Sequence, residues 1–193
     1  MKIGIDVDGV ILNFERELKT YGEIFNCFEI DNKKEANKNA HYVNDRYSWT
    51  EEQENLFAQK YFIECSKKCP FMAGAINVIN KLKNEGHQLI IISARGGKFA
   101  EMEDVALERL NAEGLVFDKY YWHIDNKVEI AKKENLDFMI DDYYKHIKEL
   151  TENKIKSIYF RDVDMPKLED NKYLYDATNW GEVYRIIKTY ENK

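Results

Sequence analysis

The sequence has no long apolar run and no targeting pattern. No stretch approaches the roughly 18 consecutive apolar residues that a membrane span needs. The N-terminus enters strand-like sequence at once, without the charged region and the apolar stretch of a secretory signal peptide. We therefore expect a cytoplasmic protein with no membrane partner.

Cysteine is scarce as well. The chain has three cysteines, Cys27, Cys65 and Cys69, an odd number that is too small for a disulfide framework. Cys65 and Cys69 are closely spaced, as in some metal sites, but no second pair of cysteine or histidine residues has the spacing of a zinc finger. We expect reduced thiols that bind no metal.

Positive charge is not in excess. The 193 residues contain 29 lysines and arginines against 35 aspartates and glutamates, for a net charge of −6. A protein that coats nucleic acid carries a basic stripe, so this balance argues against that class. A small phosphorylated substrate is not excluded, because local cations decide its binding. The length and a hydrophobic content of 44% fit one globular domain, with or without an insertion.

What the sequence does contain is an alternation of short apolar segments with amphipathic ones. The apolar segments predict buried strands at KIGIDV, QLIIIS, KYYWHI, DFMIDD and SIYF. Capping residues and hydrophobic periodicity predict helices over about 12–25, 51–67, 73–85 and 98–113, and from about 126, 143 and 179 onwards. This alternation is typical of the α/β class, a doubly wound parallel sheet with helices on both faces.

Residues 15–71 depart from the alternation, because they contain predicted helices but no clear strand. Within them, residues 26–50 are polar and aperiodic, which predicts a loop. We interpret residues 15–71 as a helical cap insertion, with the core formed by residues 1–14 and 72–193. The aromatic residues of the insertion are expected to form mainly its own small core, and stacking on a base is the alternative role, which some of them could combine with the first: Trp49, Phe57, Tyr61 and Phe62.

Polar residues stand where the predicted strands end. In a parallel α/β sheet, ligands bind at the carboxyl ends of the strands. The residues at these ends are Asp6, Asp8, Ser93, Asp141 and Asp142, with Lys127 at the start of a helix. Carboxylates without histidine or cysteine select a hard ion such as Mg²⁺, and a hydroxyl, a lysine and a helix N-terminus suit a phosphate. The sequence thus predicts a magnesium site that faces a phosphate site.

Each of these residues, taken alone, has a structural explanation. An aspartate at a strand end often caps the next helix, and Ser93 suits a turn. Asp142 is a weaker candidate for the site than Asp141, since adjacent residues of an extended chain point to opposite sides. The combination, in this order and at these ends, favours a site. The four histidines have no ligand spacing, which favours surface or core positions: His41, His87, His123 and His146.

The order of these motifs resembles the haloacid dehalogenase-like superfamily: DVDGV, a strand that ends in serine, a lysine, and a strand that ends in DD. The resemblance covers about two thirds of the chain. More narrowly, IGIDVDGVILNF, KCPFMAGAINVINKLKNEGHQLIIISAR and NKVEIAKKENLDFMIDD are similar to the 5'-nucleotidase branch, which includes the 5'(3')-deoxyribonucleotidases and provisionally named bacterial nucleotidases. The family has a small helical cap where residues 15–71 fall. ARGG after Ser93 replaces the Ser-Pro of the deoxyribonucleotidases, which leaves the substrate open.

The resemblance implies roles for the residues at the first and fourth strand ends. Asp6 is expected to attack phosphorus and form an aspartyl-phosphate. Asp8, two residues on and on the same side of the strand, is expected to protonate the leaving oxygen and later to accept a proton from water. Asp6 and Asp141 would hold Mg²⁺, with Asp142 in support and the backbone carbonyl of Asp8 as a further ligand.

Four further residues are expected to contact the substrate. Ser93 and Lys127 would hold the phosphoryl oxygens. Arg95 stays open between a phosphate contact and a cap. Phe14 matches a phenylalanine that lines the nucleoside pocket in the deoxyribonucleotidases, and packing against the sheet is its other interpretation.

The function expected from this resemblance is Mg²⁺-dependent hydrolysis of (deoxy)nucleoside monophosphates. One alternative is a phosphatase of the same fold that acts on a sugar phosphate or another metabolite. A second is a phosphomutase, which returns the phosphoryl group to its substrate. A third is a catalytically silent binding module, against which the intact set of polar residues argues. A homodimer is a further expectation.

Overall fold

The structure is a computed structural model that describes residues 1–31, 36–97, 99–162 and 165–191. Its centre is a sheet of six parallel strands in the order β3-β2-β1-β4-β5-β6. In chain order the strands are β1 Lys2–Ile5, β2 Gln88–Ile92, β3 Lys119–Tyr121, β4 Phe138–Asp141, β5 Ser157–Phe160 and β6 Leu174–Ala177. The α/β class and the parallel sheet that the sequence predicts are confirmed.

Helices separate most of the strands along the chain. They are α1 Phe14–Phe28, α2 Glu51–Lys68, α3 Ala75–Asn84, α4 Glu101–Ala112, α5 Lys127–Glu134, α6 Tyr144–Glu152 and α7 Trp180–Glu191. The predicted caps form: Thr50 and Gln53 close a capping box at the start of α2, and Asn179 Oδ1 accepts the Glu182 N–H at 3.0 Å. In the described part of the chain, no helix has the length and apolar character to cross a membrane.

Strand side chains alternate between two hydrophobic clusters, one on each face of the sheet. In β2, Leu89 and Ile91 join the larger cluster, while Ile90 and Ile92 join the smaller. This explains the continuous apolar runs, since both faces of a parallel sheet are covered. β1 has a glycine on the crowded side: a Cβ at Gly4 would lie 2.6 Å from Leu136 Cδ1. The glycine leaves room for the side chains of Leu136 and Met139 on this face of the sheet.

The register brings three strand ends together. Ile3 of β1 pairs with Leu89 of β2 and with Phe138 of β4. Because the strands are parallel, the residues that follow β1, β2 and β4 emerge side by side at one edge of the sheet.

Between β1 and β2 the described residues form helices, a short 3₁₀ turn at Asn44–Arg46 and no strand. Phe25 of α1 packs against Trp49 and Phe57, with ring centroids 5.1 and 5.4 Å apart, and against Tyr61. The expected aromatic core is present. α2 packs on both α1 and α4. The division of the chain at residues 15 and 71 stays a prediction.

Several boundaries differ from those predicted. α1 continues to Phe28, through residues expected to be a loop, because the polar Asn26 is buried and its Oδ1 accepts the Trp49 indole N–H at 3.0 Å. β6 was not predicted, since it is a half-buried edge strand with a weak apolar pattern. Residues 32–35 of the predicted loop, and Lys98 at the predicted start of α4, lie outside the described residues.

Candidate active site

A cavity of about 520 Å³ opens at the carboxyl ends of β1, β2 and β4, a size suited to a small molecule. The residues that the sequence singles out are widely separated along the chain, and all of them line this cavity: Asp6, Asp8, Phe14, Ser93, Arg95, Lys127, Asp141 and Asp142. The edge of the sheet therefore gathers them as the parallel topology requires.

Three buried carboxylates and one lysine form the deepest part of the cavity. Oxygens of Asp6, Asp141 and Asp142 all lie within 4.8 Å of one another. Lys127 Nζ lies 2.9 Å from Asp6 Oδ1 and 2.5 Å from Asp141 Oδ2. One ammonium cannot balance three carboxylates, so the cluster carries an excess of negative charge.

The pKa values of the three carboxyls reflect this excess. Burial raises the pKa of Asp6, although Lys127 opposes the rise. Burial, Asp141 and Asp6 together raise the pKa of Asp142 well above its usual value. Burial acts in the same direction on Asp141, but Lys127 and His146 hold its pKa below the usual range. A divalent cation among these oxygens would relieve the repulsion, and an all-oxygen ligand set fits Mg²⁺.

Gly9 makes room for the third carboxylate. Its φ is +75°, in the left-handed region, and a Cβ there would lie 1.9 Å from Asp142 Oδ2. Asp142 also lies inside the cluster because β4 ends at Asp141, where the Tyr143 N–H bonds to Asp141 Oδ1 at 2.8 Å. The expectation that neighbouring aspartates point to opposite sides assumed an extended chain, and the turn removes that condition.

Asp8 lies beside the cluster and is paired with Arg95. The Arg95 side chain is fully buried and forms an ion pair with Asp8. Its guanidinium also donates to Ser66 Oγ and to the Met102 carbonyl, the latter at 2.8 Å. Burial raises the pKa of Asp8 to about 6, and Arg95 opposes part of that rise. Arg95 thus pairs with the second aspartate and lines the cavity, and the two roles left open for it, a phosphate contact and a cap, stay predictions.

Ser93 and Phe14 complete the predicted set. Ser93 follows β2, is 1% exposed, and its Oγ accepts the Arg95 N–H at 3.3 Å. Phe14 lines the cavity but is only 3% exposed. Its ring lies 5.1 Å from Arg95 Cζ and 6.0 Å from the ring of Phe62. Both interpretations of Phe14, a cavity wall and a packing residue, therefore have contacts in their favour.

Comparisons with known proteins agree with this fold. No family model matches the chain. Among curated proteins, the chain is similar to "Putative nucleotidase OB0422" of Oceanobacillus iheyensis, with 25% identity over 163 residues, 81% of this chain and 84% of that protein. A structure described as a predicted phosphatase from Clostridium acetobutylicum aligns with a TM-score of 0.67, 15% identity and coverage of 97% of this chain and 98% of the other.

A magnesium-bound structure is also similar. It is the putative HAD-hydrolase YfnB from Bacillus subtilis, with a TM-score of 0.65, 15% identity, and coverage of 97% of this chain and 98% of the other. The chain has the haloacid dehalogenase-like fold. The order of the motifs predicted this fold, and the similar structures confirm it. The curated relative is consistent with the nucleotidase branch.

Two histidines reach the cavity of this haloacid dehalogenase-like fold, contrary to the expectation of surface or core positions. His146 Nδ1 lies 3.3 Å from Asp141 Oδ2, and His41 Nε2 lies 3.9 Å from Asp142 Oδ2. Burial lowers the pKa of His41 to about 4. His146 could have been found, because it lies in the first turn after a site strand. His41 gave no signal, since it lies in an aperiodic loop.

The other two histidines lie at the core or surface positions that the sequence predicts, whereas two residues of α1 and α2 have additional contacts with the cavity. His87 is buried beside Glu191, and His123 is exposed beside Glu103. Phe62 joins the aromatic core and also lines the cavity. Glu15, in the first turn of α1, lines the cavity too, and no spacing pattern pointed to it.

Proposed function

We propose that the chain is a magnesium-dependent phosphomonoesterase that hydrolyses (deoxy)nucleoside monophosphates through an aspartyl-phosphate. The observation that carries the proposal is the buried group of Asp6, Asp141, Asp142 and Lys127, with Asp8 two residues from Asp6 in the same cavity. The phosphatase and nucleotidase names of the similar proteins support it.

In the first step, a carboxylate oxygen of Asp6 forms a bond to phosphorus while the ester oxygen leaves. Asp8 gives that oxygen a proton, so the product is a neutral alcohol. In the second step, water attacks phosphorus, Asp8 takes a proton from it, and the bond to Asp6 breaks to release inorganic phosphate. Arg95 holds the Asp8 carboxyl in place during both steps.

Lys127 and Ser93 bind the phosphoryl oxygens in this scheme. Lys127 is 3% exposed, and the Asp141 and Asp6 carboxylates overcome the effect of burial and raise its pKa above the usual value. It therefore presents a positive charge throughout the neutral range, opposite the charge that develops on the transferred group. Ser93 contributes a hydroxyl donor from the end of the neighbouring strand.

Asp6, Asp141 and Asp142 would hold the metal, with the backbone carbonyl of Asp8 as an additional ligand. Mg²⁺, when bound, offsets the repulsion between an anionic nucleophile and an anionic phosphate. Residues 15–71 serve as the cap in this scheme, because residues of α1, α2 and the loop between them line the cavity together with the strand ends. The cytoplasmic location and a homodimer stay predictions.

A phosphate-release screen with Mg²⁺ tests the function. The substrates are nucleoside monophosphates, their deoxy forms, sugar phosphates and p-nitrophenyl phosphate, each with and without EDTA. We expect the highest kcat/KM for nucleotides, loss of release with EDTA, and recovery when Mg²⁺ is added back. Faster phosphate release from sugar phosphates would favour a metabolite phosphatase. A product in which the phosphoryl group has moved to another position of the substrate would favour a phosphomutase. No release from any ester would overturn the proposal and favour a binding module.

Phe14→Ala tests the nucleotide part of the proposal. If the Phe14 ring contacts the nucleoside, the variant should lose a stacking contact of roughly 1–3 kcal/mol. The kcat/KM for a nucleoside monophosphate should then fall about five- to a hundredfold relative to that for p-nitrophenyl phosphate.

Phe25→Ala is the matched control, because Phe25 lies on the same helix, is fully buried and does not line the cavity. It should lower the melting temperature and leave the ratio of the two substrates as it is. If Phe14→Ala behaves in the same way, Phe14 is a packing residue and the nucleotide assignment loses its local support.

A further inference from the structure

Buried polar atoms without a partner concentrate around the cavity. Among the described residues, seven buried side-chain atoms have no hydrogen-bond partner. Five of the seven belong to residues that line the cavity: Asp6, Glu15, His41, Asn44 and His146. Buried polar groups are almost always satisfied in folded proteins, so this grouping indicates a polar ligand in the cavity.

The catalytic cluster accounts for two of the five. Asp6 Oδ1 lies 2.9 Å from Lys127 Nζ, and His146 Nδ1 lies 3.3 Å from Asp141 Oδ2, so both atoms face charged partners. The other three are Glu15 Oε2, His41 Nδ1 and Asn44 Oδ1, and all lie between β1 and β2. They belong to the part of the cavity lining that the residues between β1 and β2 supply, where His41 lies beside Asp142 and Glu15 follows Phe14.

Of these three residues, Glu15 is the best candidate for a contact with the alcohol half of the substrate. It follows Phe14, whose ring lies 5.1 Å from Cζ of Arg95, the ion-pair partner of Asp8. Burial and the nearby Asp8 raise the pKa of the Glu15 carboxyl to about 8. Asp8 is the group that faces the leaving oxygen in the proposed reaction. Glu15 therefore lies on the side of the cavity lined by Phe14, near the pair of Arg95 and Asp8, where the alcohol half of the ester would bind.

We propose that Glu15 is a specificity-determining residue that forms a hydrogen bond with a hydroxyl group on the alcohol half of the substrate. This inference rests on the proposed phosphomonoesterase function. It narrows the range of substrates, because a hydrogen bond from Glu15 would favour esters of polyhydroxylated alcohols over esters of simple alcohols. A hydroxyl suits this position because it can both donate and accept, and so pairs with either form of a carboxyl group. An unfilled Glu15 Oε2 penalises esters that lack the hydroxyl.

Helix stability alone does not explain this residue. Glu15 and Glu17 are both acidic residues of the first turn of α1, where a negative charge stabilises the helix N-terminus. Only Glu15 lines the cavity. Glu17→Gln is therefore the matched control, since it removes a first-turn charge without changing the cavity wall.

The test compares pairs of esters that differ in hydroxyl content. The first pair is glycerol 1-phosphate with propyl phosphate, and the second is dAMP with 2',3'-dideoxy-AMP. Each is measured with the wild type, Glu15→Gln, Glu15→Ala and Glu17→Gln in the presence of Mg²⁺. We expect the wild type to prefer the hydroxylated ester, and Glu15→Ala to reduce the ratio of kcat/KM values about ten- to a hundredfold. Glu15→Gln should have an intermediate ratio, and Glu17→Gln the wild-type ratio.

The outcomes separate the two proposals. If the wild type shows no preference in either pair, or Glu15→Ala and Glu15→Gln keep the wild-type preference, the role of Glu15 is wrong while the phosphatase proposal stands. An equal loss of kcat/KM on both members of a pair also contradicts this role. It would mean that Glu15 acts through packing or through its effect on Asp8. If the wild type releases phosphate from no ester, p-nitrophenyl phosphate included, the proposed function itself fails. Melting temperatures of all four proteins identify any variant that does not fold.

Discussion

Asp6→Asn should reduce turnover about a thousandfold or more on every phosphomonoester, because an amide neither attacks phosphorus nor binds Mg²⁺ well. The substitution is nearly isosteric and lies beyond the end of β1, so the far-ultraviolet circular dichroism spectrum should not change. It also removes one of three carboxylates that repel one another. The melting temperature without Mg²⁺ should therefore be equal to that of the wild type or higher.

The control for this variant is Asp125→Asn, at an exposed position outside the cavity, which should keep wild-type activity. Phosphate release with saturating Mg²⁺ is the measurement. A variant that folds, has a wild-type melting temperature and keeps a tenth or more of the activity would refute the assignment of Asp6 as the nucleophile.

Asp8→Asn should show a loss that depends on the leaving group. An alkyl alcohol needs a proton as it departs, so its release should slow by about 10²–10⁴-fold. p-Nitrophenolate leaves without a proton, and the first step with p-nitrophenyl phosphate should be affected least. The asparagine side chain keeps the volume of the aspartate and can accept a hydrogen bond from Arg95, so a change in packing is not expected to dominate.

Single-turnover measurements make this test decisive, because they report release of the alcohol before the second step can limit the rate. Equal losses of that first step on both esters would contradict the general-acid role. Ser66→Ala is a useful comparison, since it removes another partner of Arg95 and leaves Asp8 in place. A loss in Ser66→Ala as large as that in Asp8→Asn would assign the effect to displacement of Arg95.

The part of the site that the sequence predicts is the part built on strand ends. Asp6, Ser93 and Asp141 follow buried apolar runs, and parallel pairing brings such ends together whatever the loops do. The chain order of the motifs was therefore sufficient to place them in one cavity. β6 was missed for the converse reason, since an edge strand with one half-buried face has no continuous apolar run.

Apart from Phe14, the residues of α1, α2 and the loop between them that line the cavity were beyond prediction. Periodicity shows which face of α1 is buried, but not that Glu15 at the border of that face meets the carboxyl end of the sheet. His41 lies in a loop without periodicity, and its position depends on ring contacts with Tyr42 and Tyr143. The contact with Tyr143 joins segments far apart in the chain, and no local pattern encodes it.

Arg95 connects α2 to the proposed proton donor, because its guanidinium contacts both Ser66 and Asp8. Ser66 belongs to α2, whereas Asp8 and Arg95 follow strands of the sheet. A displacement of α2 away from the sheet would break the Ser66–Arg95 hydrogen bond, which is one of the contacts that hold the partner of Asp8. The position of the Asp8 carboxyl is therefore linked through Arg95 to the position of α2.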